Sequence, residues 1–325
     1  FSTKTLWVAS LMVAIGSTTS AFWIIVANSW MQTPAGFEIV DGRAQLTSFF
    51  DAVFNPSTIP RFLHAVDAAL ITGTFFVMGL SALFLLRGEH VAFARKSLKA
   101  ALVGGFLAIA VQLPIGHMHA VQVAENQPTV LAAFEGLFET QKNAPAVLFG
   151  IPDEEAGEMR MAIEIPGGLS LLAGGSLDHE VEGLSDTPRE DWPPIAPVFF
   201  SFHLMFYLGM YFMAFTLLGL FLLWKKQLYD SKLFLKLAVI TLPLPTITNQ
   251  LGWIAAEVGR QPWLVYKVPG MRTADGVSAT VSAGEILTSI IMFGILYSLL
   301  FALWIYLIKR TLKKGPEPMG EEVAS

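Results

Sequence analysis

Six apolar runs set the pattern of the chain: 5–27, 60–86, 98–115, 195–224, 234–257 and 283–308. A helix needs about 20 residues to cross the hydrocarbon of a bilayer, and each run approaches or exceeds that. The third is the shortest. The fifth carries Pro243 and Pro245. Each proline removes a backbone donor and crowds the preceding turn, so a kink or break is expected there. The pattern predicts an all-α integral membrane protein, a bundle of six transmembrane helices with one long polar segment at 116–194.

Charge orients these runs. Arg87, Arg95, Lys96 and Lys99 follow the second, four lysines lie in "KKQLYDSKLFLK" after the fourth, and "IKRTLKK" ends the sixth. If every run spans, all three basic stretches share one side, which should be cytoplasmic. Segments 28–59, 116–194 and 258–282 then lie outside. The expected organisation is three helices and a first outer loop over 1–115, an outer segment over 116–194, three helices over 195–310, and a cytoplasmic tail over 311–325. Segment 116–194 holds fourteen acids against Lys142, Arg160 and Arg189, a net −11 in a chain whose total is −5. A solvated acidic loop would read this way, yet a loop of that length inside a compact membrane protein also points to function.

Composition narrows the chemistry. Of 325 residues, 54% are hydrophobic and 14% charged, with no cysteine and a mean hydropathy of +0.56. Disulfides, iron–sulfur clusters, thiolate ligands and covalently attached heme c are excluded. Any metal or heme must be held by His, Met, Glu, Asp or Tyr. The chain opens on Phe1 and is apolar from Leu6, so more of the natural protein is expected to precede it.

The ionisable residues inside the runs are few. Of six histidines, His90 lies among the cytoplasmic basics, His179 in the acidic segment, and His117 and His119 at the end of the third run. His64 lies about 6 Å into the second run from its outer end, and His203 and Met205 about 12–15 Å into the fourth. Glu257 ends the fifth. Ligating side chains at compatible depth on three helices are the arrangement of a heme site within a bundle. Each has a plainer reading: a histidine bonded to a neighbouring helix, a methionine filling space, or a Glu257–Arg260 ion pair. His203 and Met205 are two apart, about 200° around a helix, so both cannot face one heme. Spacing alone makes His64 and His203 the default ligand pair.

In "LGWIAAEVGRQPW" (251–263) an acid and an arginine share one helix face among Trp253, Pro262 and Trp263. This stretch resembles the signature of subunit I of the cytochrome bd-type quinol oxidases. In the same order, "SAFWIIVANSWMQTPAG" (20–36) resembles that family's fourth helix and following loop. "NPSTIPRFLHAVDAALITGTFFVMG" (55–79) resembles its fifth, and "FFSFHLMFYLGM" (199–210) its seventh. "NQPTVLAAFEGLFET" (126–140) and "LFGIPD" (148–153) resemble its quinol-binding loop. Almost the whole chain is covered, corresponding to helices four to nine of a nine-helix subunit. The upstream helices are expected to carry one further heme histidine.

The resemblance implies that His64 and Met205, rather than His203, are the axial ligands of a low-spin heme b. It implies that Glu257 is the axial carboxylate of a high-spin heme b, with Trp253 packed beside it and Arg260 at a propionate. A heme d, or a third heme b, would complete the oxygen site. His203 stands where the family often has arginine, beside the low-spin heme. Glu135 matches an acid implicated in quinol oxidation, while the family's nearby lysine falls on Val130. Quinol oxidation at the outer face, reduction of dioxygen to water and generation of membrane potential follow as expectations. So do a second subunit, a small single-helix subunit and a bacterial or archaeal cytoplasmic membrane, with no nucleic-acid partner. Two other readings of the residues stand beside this one. One is a heme-free transporter with its broken helix at "PLPTITNQ" (243–250). The other is a quinone-linked cytochrome b membrane anchor without oxygen reduction.

Overall fold

The computed structural model describes residues 2–278 and 280–316. Helix α1 (Thr3–Gln32) leads to a hairpin of β1 (Phe37–Val40) and β2 (Arg43–Leu46) and the short α2 (Phe49–Val53). The long α3 (Thr58–Arg87) and α4 (Val91–Asn126) follow. The polar segment that follows holds α5 (Pro128–Glu135), β3 (Gln141–Lys142), β4 (Ala146–Asp153), β5 (Glu158–Ile165), α6 (Gly168–Gly174) and β6 (Glu180–Val181). The chain returns through α7 (Ile195–Trp224), α8 (Lys232–Thr241), α9 (Leu244–Gly259) and α10 (Ala283–Lys314).

Five helical stretches among the described residues are long and apolar enough to cross a membrane. The fifth apolar run is not one of them, because it divides into α8 and α9 at Leu242–Pro243. The prolines are the cause: Pro243 and Pro245 open α9, where a missing N–H costs nothing. The third run is far longer than its apolar stretch, since α4 continues through 116–126 with Pro114 inside it. The 116–194 segment is accordingly not a bare loop. It is built from the end of α4, two small helices, the antiparallel β4–β5 hairpin and the β3–β6 pair. The start of the 311–325 tail is the last turn of α10, and 317–325 lie outside the described residues.

Two apolar cores hold the fold. One, with Phe75, Met78, Leu98, Leu102, Phe212 and Phe234, lies among α3, α4, α7 and α8. Gly79 lets α8 approach α3: a Cβ there would meet Leu242 Cβ at 2.8 Å and the Ala238 carbonyl at 3.0 Å. The other core gathers Val130, Leu131, Leu137, Leu169, Ile195 and Val198, and seats the polar segment on the ends of α4 and α7. By contrast α10 has no buried residue, and α1 buries only Ile25, Ser29 and Gln32. Their apolar faces are therefore open to lipid or to other helices.

Candidate functional site

The last turn of α9 carries Glu257, and Arg260 caps the helix. Arg260 Nη2 donates to Glu257 Oε2 at 2.7 Å. Asn28 Nδ2, from α1, donates to Oε1 at 2.8 Å, and Gln32 Nε2 reaches the same oxygen at 3.5 Å. Gln32 also donates to the Ala256 carbonyl at 3.2 Å and accepts from Gln127 Nε2 at 2.8 Å. The carboxylate is thus held from three sides, while its side chain stays 35% accessible. Trp253, one turn earlier, is exposed.

Two buried guanidiniums border this carboxylate. Arg260 is 5% exposed and Arg61 8%. Arg260 Nε and Nη1 and Arg61 Nε are buried without a hydrogen-bond partner. Arg61 lies within electrostatic reach of both Glu257 and Arg260. These unused donors fit a group that brings its own anionic arms, as heme brings its propionates.

His64 lies one turn after Arg61 on α3 and faces α4. Its Nδ1 is 3.2 Å from Gln112 Nε2, which also donates to the His64 carbonyl at 3.3 Å. The His119 ring packs edge-on against it, with centroids 5.4 Å apart. Met205 faces α9 instead, where a Cβ on Gly252 would come 2.9 Å from its Sδ. His203 is buried, and each ring nitrogen faces a backbone carbonyl. Nδ1 is 3.0 Å from the Phe199 carbonyl of its own helix, and Nε2 is 2.8 Å from the Val147 carbonyl of β4. A neutral ring donates to one of the two. His203 therefore packs α7 against β4 of the 116–194 segment.

Glu135 ends α5, directly before Gly136 in the left-handed conformation that closes the helix. It is half-buried. Burial pushes its carboxyl up to about 7, and the negative end of the α5 dipole acts in the same sense. Tyr207 of α7 lies within electrostatic reach, and Phe134 beside it stacks on Phe202 at 4.7 Å. Val130 is buried, with Cγ1 3.1 Å from the place of a Gly259 Cβ. A lysine there would be driven into an apolar contact, which accounts for valine in this chain. Between α4, α5 and α6 lies a cavity of about 590 Å³ lined by His117, Glu125, Leu131 and His179.

Sequence reasoning singled out Glu257, Arg260, His64, Met205, His203, Trp253 and Glu135. It missed Asn28, Gln32, Arg61, Gln112 and Asp67. Asp67 is buried on α3 with Oδ2 unpartnered. Arg61 and Asp67 could have been found, as charges one turn either side of His64 in an apolar run. Asn28, Gln32 and Gln112 carried no comparable signal.

A helical membrane bundle with a half-buried, multiply bonded carboxylate beside spare guanidinium donors is the class that fold and site define. Residues 1–316 match the family described as cytochrome bd terminal oxidase subunit I, and the chain belongs to that family. It is 38% identical over 317 residues to cytochrome bd ubiquinol oxidase subunit 1 of Bacillus subtilis (strain 168), covering 94% of this chain and 67% of that protein. It is 31% identical to cytochrome bd-II ubiquinol oxidase subunit 1 of Escherichia coli (strain K12), covering 96% and 73%. The solved bd oxidase of Geobacillus thermodenitrificans is similar with a TM-score of 0.88 and 32% identity, over 97% of this chain and 72% of that one.

Proposed function

We propose that the chain is the heme-bearing part of a quinol-oxidising, dioxygen-reducing terminal oxidase. The observation that carries this is the held but accessible Glu257 carboxylate in a chain of this family. Heme iron, when bound, supplies the one-electron chemistry between quinol and dioxygen. His64 and Met205 hold the low-spin heme b, Glu257 holds the high-spin heme b, and heme d or a third heme b completes the oxygen site. The turning of the His203 ring towards the Phe199 and Val147 carbonyls supports Met205 over His203 as ligand. His203 then serves beside that heme by fixing α7 against β4, and Trp253 borders the Glu257 site.

The protein's own residues do the remaining work. Glu135, with a carboxyl near neutrality, takes a proton from quinol bound at the outer segment. The cavity beneath α6 gives that segment room for a headgroup. Asn28, Gln32 and Arg260 keep the Glu257 carboxylate aimed. With α8 and α9 as one broken passage beside the five long helices, 116–194 lies outside and the basic stretches and C-terminus lie in the cytoplasm of a bacterium or archaeon, a reading that the basic stretches support. The open faces of α1 and α10 receive lipid, the family's second subunit and a small single-helix subunit.

The complete complex, purified with its second subunit, should contain heme and consume oxygen when given quinol. Glu257→Ala should lose the high-spin carbon monoxide difference signals and keep the low-spin α-band. Full heme content with unchanged carbon monoxide spectra in that variant would reduce Glu257 to an ion-pair partner of Arg260. A wild-type complex without heme would return the chain to the transporter reading. Heme without oxygen uptake would favour the anchor.

A further inference from the structure

The β4–β5 hairpin lies along the first turns of α7. Its tip is fixed to the start of that helix, where Glu154 Oε1 accepts from the Ile195 and Ala196 backbone N–H groups at 3.0 and 3.2 Å. Arg189 donates to the Glu154 carbonyl and steadies the same tip. The base of the hairpin is fixed eight residues further along α7, where His203 Nε2 lies 2.8 Å from the Val147 carbonyl. Eight residues of helix rise about 12 Å, and the hairpin runs beside that length. Helix α7 has thirty residues and is about 45 Å long. That matches a bilayer with its headgroup layers, about 40–45 Å, rather than the hydrocarbon alone, about 30 Å. Lys225 and Lys226 mark its other end. With α7 as a membrane passage, its first turns and the hairpin beside them stand in the layer between water and hydrocarbon.

The side chains of the hairpin suit that layer. Phe149 and Ile163 are paired across the two strands, yet they are 52% and 60% exposed. Ile151, Met161 and Ile165 are exposed too, so nothing among the described residues covers them. A two-stranded sheet in water does not hold so much apolar surface open. Phe200 and Leu204, which flank His203 in α7, are exposed at the same level. The apolar surface of the hairpin therefore continues into the open face of a membrane helix. Charge gathers instead at the tip, in Asp153, Glu154, Glu155 and Glu158, with Glu164 alone near the base. We infer that the hairpin is an interfacial anchor: Phe149, Ile163 and their neighbours enter the headgroup–acyl boundary of the phospholipid bilayer, while the acidic tip stays in water. The contact is apolar, because the acids at the tip would repel anionic headgroups. It keeps the 116–194 segment seated on the membrane surface. This inference rests on the membrane-passage reading of α7 and not on the heme chemistry.

The sequence holds no cysteine, so one introduced thiol reports one place in this chain. The test uses the whole complex in phosphatidylcholine nanodiscs, with Phe149→Cys, Ile163→Cys and, at the tip, Glu155→Cys each labelled with a nitroxide. Wild-type complex treated with the same reagent supplies the background. Spin-label saturation compares collision with oxygen, which concentrates in lipid, against collision with a neutral nickel chelate, which stays in water. Oxygen should exceed nickel several-fold at positions 149 and 163, and nickel should exceed oxygen at 155. Nickel in excess at 149 and 163 would place the hairpin in water and overturn the anchor. Weak collision with both would mean that protein covers it, whether the second subunit or more of this chain, and overturns the anchor equally. Oxygen in excess at 155 would leave the hairpin no end in water and overturn the stated orientation. If Phe149→Cys does not assemble, Ile163→Cys decides alone, with Ile165→Cys as its substitute. The readout needs no oxidase activity. A complex without heme would end the functional reading and leave this measurement standing, while a hairpin in water would leave the heme reading untouched.

Discussion

Asn28 Nδ2 lies 2.8 Å from Glu257 Oε1, joining two residues 229 positions apart in the chain. The contact makes α1, otherwise barely packed, a structural part of the site on α9. Asn28→Leu should leave a partly buried carboxylate short of a donor, at a cost of about 1–3 kcal/mol. The expected outcome is a complex that still assembles, with weakened high-spin carbon monoxide difference signals and a normal low-spin α-band. Equal loss of both signals would mean that Asn28 acts on the fold rather than on Glu257.

His203→Leu should separate the two roles that spacing alone left confused. Losing the ring removes the tie between α7 and the Val147 carbonyl of β4, at a cost of about 1–3 kcal/mol. Thermal unfolding should come earlier and protease should cut the β4 region faster, while the low-spin α-band persists. Met205→Leu should show the reverse: near-normal stability and no low-spin α-band.

Gly252→Ala probes Met205 without touching it. The added methyl would stand 2.9 Å from Sδ, and the flexible thioether end is what can yield. A shifted low-spin α-band with an intact fold is the expected result, read from reduced-minus-oxidised spectra. A wild-type spectrum would show that Met205 is packing only.

Glu135 gives a pH prediction with a defined sign. Its carboxyl is raised from 4.5 to about 7 by burial, so the folded chain holds its proton more tightly than the unfolded chain. Stability is therefore unaffected below the ordinary value, falls as pH rises between 4.5 and about 7, and levels off above. Glu135→Gln should match wild type in acid and exceed it at pH 8 in thermal melts. Quinol oxidation by wild type should rise through the same interval, and the glutamine variant should lose that rise. A pH profile unchanged by the substitution would exclude Glu135 as the proton acceptor.

The long helices were legible because a bilayer-length apolar run leaves a helix little alternative. The proline break was legible for the same local reason. What stayed hidden was pairing. Nothing in "VANSWMQ" marks Asn28 and Gln32 as partners of a residue on α9, since amides in an outer-end turn also suit water. The internal order of 116–194 was hidden as well: its small core is assembled from residues far apart, such as Val130, Leu169 and Val198. His203 looked like a ligand because spacing reports depth, whereas its engagement with Val147 depends on where β4 returns.

Gln32 occupies the middle of a relay of amides. It accepts from Gln127 at the head of α5, and donates to the Ala256 carbonyl and toward Glu257. An amide has a fixed polarity, so rotating one member obliges the next to turn or lose its bond. A shift of α5 would thereby be passed as a torque to the Glu257 carboxylate on α9. In mechanical terms α5 is geared to that carboxylate through side chains that never change charge.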